Sequence, residues 1–113
     1  MRMKTMHDKE FFKKVKREDK IWVLYKDKAI LCSEIENGGN RLFVWDSKKK
    51  VELYKAHDEK NDAYRPIYIS VDSIKRTWLN DSKMNIKEIF VNSDGFGEKY
   101  LCYSKEEFLE ELK

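Results

Sequence analysis

Three apolar runs, set apart by turn-forming residues, occupy positions 21–45 and restrict the chain to folds built on successive antiparallel strands. Ile21-Trp22-Val23-Leu24-Tyr25 is the first; it breaks at Lys26-Asp27-Lys28 and resumes as Ala29-Ile30-Leu31-Cys32. β-Branched, aromatic and aliphatic residues fit a pleated surface, so this reads as strand, tight turn, strand. Asn37-Gly38-Gly39-Asn40 supplies residue types that accept positive φ, a hairpin turn into a third strand at Leu42-Phe43-Val44-Trp45. The runs are unbroken where a half-exposed strand would alternate, which is the pattern of strands covered on both faces or lying at the centre of a sheet.

Helical periodicity flanks this block. Residues 1–4 read as a frayed start, after which Thr5 is placed to cap a helix over 6–17 with Asp8 and Glu10 near its positive end. Phe11, Phe12 and Val15 form its apolar stripe, and Lys13, Lys14, Lys16 and Arg17 its solvated side. Asp46 or Ser47 is placed to cap a short helix carrying Val51 and Tyr54. Lys48-Lys49-Lys50 in its first turn opposes the helix dipole by roughly a few tenths of a kcal/mol each. Ile67-Tyr68-Ile69 reads as a strand, and Ser70 caps a helix over 71–80 whose Val71, Ile74, Trp78 and Leu79 share one face. Segments 86–91 and 100–103 pair as a second hairpin across the Asn92–Gly97 turn. The last helix, 105–112, opens with a Ser104/Glu107 capping box and a Tyr103/Phe108 staple.

These elements predict one α+β domain over 1–113, with a mostly antiparallel sheet of about five or six strands and three or four packed helices. A chain of 113 residues has room for one core. Charged residues are 40% of it, yet three Trp, six Tyr and six Phe argue for a charged shell around an aromatic core and against disorder. Twenty-four Lys and Arg against twenty-one Asp and Glu leave +3, and the signs are too intermixed to be a nucleic-acid footprint. Cys32 and Cys102 lie in apolar runs and read as buried free thiols. Together with the lack of a signal-peptide core or an 18-residue apolar span, they point to the reducing cytoplasm.

No pattern in the chain announces a chemistry. CxxC and HxxxH are missing, and His57-Asp58-Glu59 are adjacent on one loop, where residues seldom converge on an ion, so neither metal nor cofactor is expected. A Cys–His nucleophile drawn from Cys32 or Cys102 with His57 is disfavoured because apolar surroundings raise a thiol's pKa. Asp94-Gly95-Phe96-Gly97 looks like a phosphate cradle but precedes a strand where such a loop would precede a helix. Trp22, Trp45, Tyr64 and Trp78 read as core, not as a base-stacking platform. The protein is therefore expected not to be an enzyme. The longest loop, 55–65, closed by Pro66, is where contact residues are expected: Lys55, His57, Asp58, Glu59, Lys60, Asp62 and Tyr64.

The order of landmarks is itself informative: Phe11-Phe12, Ile21-Trp22-Val23-Leu24, Val44-Trp45, Tyr64-Arg65-Pro66, Ile69-Ser70-Val71, Trp78-Leu79, Val91-Asn92 and Glu106-Glu107-Phe108-Leu109. It resembles the small bacterial family catalogued as domain of unknown function twenty-seven fifty. The resemblance implies a bacterial cytosolic α+β domain and brings no established activity or catalytic residue. In character the chain is also similar to immunity proteins that neutralise a cognate toxin. The functional expectation is accordingly a protein-binding module, most concretely an immunity-type inhibitor of a toxin domain. A nucleic-acid binder is the alternative, with Lys13, Lys14, Lys16, Arg17 and Lys48–Lys50 converging on one face. An enzyme with an undetected polar pocket is the second alternative.

Overall fold

The computed structural model describes residues 6–36, 38–57, 59–81, 83–93 and 101–113, for Met6, His7 and Asp8 in backbone only. The chain runs α1 (Met6–Glu18), β1 (Ile21–Lys26), β2 (Ala29–Ile30), β3 (Cys32–Glu34), β4 (Asn40–Val44), α2 (Lys48–Ala56), β5 (Arg65–Ile69), α3 (Val71–Arg76), β6 (Ile86–Val91), β7 (Leu101–Ser104) and α4 (Lys105–Glu111). Short 3-10 turns at Glu59–Asn61 and Trp78–Asn80 precede β5 and β6. Thr5, Asn37 and the Asp94–Gly97 turn lie outside the described residues.

β1 reverses into β2 through Asp27 and Lys28, whose φ values of 49° and 68° are those of a two-residue type I′ turn. The second apolar run then serves two sheets. β2 pairs with the end of β1, Leu31 sends its N–H to Leu24 O at 2.8 Å, and β3 pairs with β4. The result is a three-stranded sheet of order β2-β1-β5 and a four-stranded sheet of order β3-β4-β6-β7. Trp22 and Trp45 bridge the two.

The α+β class and the largely antiparallel pairing are as the sequence predicts; among the described residues there are four α-helices and seven strands in two sheets, where one sheet of about five or six strands is expected. One pairing departs from it: β4 and β6 run parallel, with Val44 opposite Val91. A parallel pair requires a long crossover, and the chain between these strands, carrying α2, β5 and α3, supplies it.

Alternation along β1 and β4 sorts apolar side chains onto two faces. Ile21, Val23, Leu42 and Val44 enter the larger core with Phe11, Phe12 and Val15 of α1, Ile74 of α3 and Phe108 of α4. Leu24 and Trp45 instead meet Val51 of α2 in a second cluster, flanked by Trp22, Leu31, Phe43, Tyr54 and Tyr64. Strands covered on both sides account for the unbroken apolar runs.

Helix boundaries follow local chemistry. The expected 71–80 helix divides at Thr77, whose backbone (φ −97°, ψ −81°) is not helical, but Ile74 and Leu79 stay buried on a common face. Ser70 Oγ accepts from Ser73 N, and the Ser104/Glu107 capping box closes in both directions at 3.1 Å. The staple is present as well, with the Tyr103 and Phe108 rings 6.4 Å apart.

Candidate functional site

α2 walls an open surface depression and carries an exposed apolar crest. Ser47 caps it, accepting from Lys50 N at 3.3 Å. The lysines of its first turn, unfavourable beside the helix dipole, find anions nearby: Lys50 Nζ lies 3.0 and 3.1 Å from the two oxygens of Asp46, and Lys48 Nζ 3.7 Å from Glu52. Val51 and Tyr54 point inward, the Tyr54 ring packing at a tilt 5.0 Å from Trp45 and 5.8 Å from Phe43. Leu53, on the opposite crest, is 60% exposed. Leu53 and Tyr68 of β5, at 52%, are the exposed large hydrophobics among the described residues.

The stretch after α2 is more ordered than a long loop. His57, Asp62 and Tyr64 each donate a backbone N–H three residues back, to Tyr54, Glu59 and Asn61, which winds the segment tightly. An open depression of about 350 Å³ lies between α2 and β5, lined by Glu52, Lys55, Ala56, Asp62 and Pro66. Of the expected contact residues, Lys55 and Asp62 meet at this depression, and His57, Glu59 and Lys60 are exposed beside it. Tyr64 is half-buried against the second cluster, with Lys26 Nζ 5.7 Å from its ring. It therefore anchors the surface from beneath. Asp58 lies outside the described residues.

The basic residues do not converge. α1 covers the larger core and α2 the second cluster, so Lys13, Lys14, Lys16 and Arg17 are separated from Lys48–Lys50 by the sheet. Lys16 Nζ also donates to Glu111 O at 3.2 Å, tying α1 to the end of α4.

Sequence reasoning passed over two polar clusters. The first sits where parallel strands β4 and β6 end. Asp46, 5% exposed, takes a hydrogen bond from Asn92 Nδ2 at 3.0 Å and returns its own backbone N–H to Asn92 Oδ1 at 3.0 Å. Asn92 adopts φ 55° and donates its N–H to Val44 O, while Trp45 Nε1 donates to Ser93 O at 2.8 Å. Only the parallel register brings these residues together, and nothing local in the chain signals it.

The second cluster lies on the sheet face opposite the larger core. Arg41 Nε and Nη2 both reach Glu88 Oε2 at 3.0 Å, the guanidinium sits 4.2 Å over Phe90, and Cys102 Sγ is 3.6 Å from the same oxygen. Burial, then the Glu88 carboxylate, pushes the Cys102 thiol up to about 11, against a smaller opposing pull from Arg41. Burial alone pushes Cys32 up to about 11. Both thiols are protonated at neutral pH, in agreement with inert cysteines. They lie on strands at opposite edges of the four-stranded sheet, roughly three strand spacings of ~4.8 Å apart, too far to form a disulfide.

Among the described residues no three His, Cys, Asp or Glu side chains are grouped to hold a metal ion, and no helix is long and apolar enough to cross a membrane. Together these features define an α+β domain with apolar clusters on both sides of its sheet and a charged, partly apolar surface along α2 and β5. The chain belongs to the family described as protein of unknown function, DUF2750, whose model matches residues 9–112. No curated protein matches it.

Proposed function

We propose that this protein acts by binding another protein through the surface formed by α2, the Glu59–Asn61 turn and the start of β5. In its most concrete form the role is that of a cytosolic immunity-type inhibitor covering the active surface of a toxin domain. The observation that carries this reading is one juxtaposition. Leu53 stands exposed on the crest of α2, and the same helix walls the depression lined by Glu52, Lys55, Ala56, Asp62 and Pro66. Apolar area ringed by charge is the make-up of an interface with a dry centre and a wet rim. The mixed signs of Lys55, Glu59, Lys60 and Asp62 supply the complementarity that speeds encounter and rejects wrong partners.

Co-expression with the product of the neighbouring gene, capture by a tag on one partner and affinity measured at two salt concentrations test this. The expected result is a retained partner whose binding weakens with salt and drops on Leu53→Glu. If no partner is retained and a generic RNA binds tightly at low salt and is released at high salt, the basic-helix reading replaces it.

A further inference from the structure

Resting on that reading, we infer how the partner is held: an extended segment of it adds as a strand to the outer edge of β5, alongside α2. β5 is the outer strand in the order β2-β1-β5 and pairs on one side only among the described residues. The ladder with β1 shows which of its backbone groups face outward. Pro66, opposite Leu24, has no N–H, and Leu24 sends its C=O the other way, to Leu31. Trp22, opposite Tyr68, spends both of its backbone groups on Trp45. The β1–β5 bonds therefore belong to Ile21 with Ile69, Val23 with Ile67 and Tyr25 with Arg65. The outer edge presents the C=O of Pro66 and the N–H and C=O of Tyr68. Such groups are a template for an added strand.

The side chains beside this edge select what is added. Residues directly opposite in an antiparallel pair share a face, so Pro66 and Tyr68 point to the α2 side with Leu24 and Trp22. Tyr68 packs 5.1 Å from Trp22, has Lys20 Nζ 4.7 Å over its ring, and keeps half its surface free. Pro66 opens onto the depression. In an antiparallel strand, the residue that exchanges both bonds with Tyr68 lays its side chain on this aromatic pair. The residue two positions later donates its N–H to Pro66 C=O and drops its side chain into the depression, where Glu52 and Asp62 outnumber Lys55. The intervening residue falls on the face of half-buried Ile67 and Ile69. The segment that fits is extended, with an apolar or aromatic residue, then an apolar one, then a Lys or Arg. The missing N–H at Pro66 leaves the edge one bond short for indiscriminate pairing.

A library of random linear peptides displayed on phage, panned on the full-length protein, supplies the probe. The expected peptides carry a basic residue two positions after an apolar one, protect the Tyr68 amide from hydrogen exchange, and lose affinity by about tenfold or more on Tyr68→Pro, which spares the β1–β5 backbone bonds but removes an outward N–H together with the ring packed on Trp22, and by clearly less on Tyr68→Ala, which removes the ring alone. The variant's fold is checked by its amide spectrum. Independently, a Glu52→Lys/Asp62→Lys variant is expected to switch the selected residue from basic to acidic. Peptides that bind on the α2 crest and tolerate Tyr68→Pro, an absence of selected peptides, or a Tyr68→Pro effect explained by loss of a dimer of this chain would each overturn strand addition. A captured protein partner that tolerates Tyr68→Pro but not Leu53→Glu overturns strand addition alone. Failure to capture any partner counts against the underlying protein-binding reading.

Discussion

Trp22 and Trp45 exchange both of their backbone hydrogen bonds, at 2.8 and 2.9 Å, and this bridge joins the three-stranded sheet to the four-stranded one. Trp45 is also the largest fully buried side chain, and its indole N–H ends on Ser93 O just past β6. One residue thus ties together β1, β4 and β6. Trp45→Phe leaves a cavity and removes the indole's bond to Ser93 O, and is expected to lower stability by about 2–4 kcal/mol in urea unfolding. A loss under about 1 kcal/mol would show that the buried indole and its bond to Ser93 O carry little.

The Asp46–Asn92 pair makes a sharper test, because two properties of Asn92 are separable. Its φ of 55° suits Asn or Gly, and its side-chain amide both donates to and accepts from Asp46. Asn92→Gly keeps the backbone and loses the clamp, at a cost of about 1–3 kcal/mol. Asn92→Asp sets a second carboxylate against a buried one and is expected to cost more than the glycine at neutral pH. Equal losses in chemical denaturation would argue against a direct carboxylate contact.

The β1–β2 turn is not optimal as it stands. Lys28 occupies the left-handed region at φ 68° in a turn whose preferred sequence is Asp-Gly or Asn-Gly. Lys28→Gly is expected to stabilise the protein by about 0.5 kcal/mol, the relief of backbone strain exceeding the added chain entropy. Thermal unfolding of the variant, which touches no core residue, checks this.

The thiols set a limit at alkaline pH. Cys32 and Cys102 hold their protons to about 11 in the folded protein, whereas the unfolded chain releases them near 9.0. Between these values the folded state binds more protons, so their contribution to stability is whole below pH 9 and falls as pH rises toward 11. Lysines and tyrosines titrate in the same range, so the measurement is comparative. The urea midpoint of a Cys32→Ala/Cys102→Ala variant should fall less steeply over that interval than that of the unaltered protein. Identical slopes would contradict the burial of the thiols.

The sequence carried the fold where its signals were local. Apolar runs located β1, β4 and β6, the Ser104/Glu107 box located the start of α4, and Ser70 that of α3. Strand pairing is not local, and no residue pattern signals it. Parallel β4–β6 register depends on a crossover of many residues, and the Asp46–Asn92 and Arg41–Glu88 contacts depend on that register. The candidate surface was half legible. Polarity marked 55–65 as exposed, but Tyr64 turned inward with the second cluster, and Leu53 was not singled out because a helix crest is visible only once Val51 is known to face Trp45.

The most direct test of a protein-binding role for the α2–β5 surface is amide shift mapping of the isotopically labelled protein titrated with its co-purified partner. The expected perturbations cluster at Leu53, Lys55, His57, Glu59, Lys60 and Tyr68, with α1 silent. Perturbations confined to Lys13, Lys16 and Arg17 on α1, across the sheet from that surface, would contradict it.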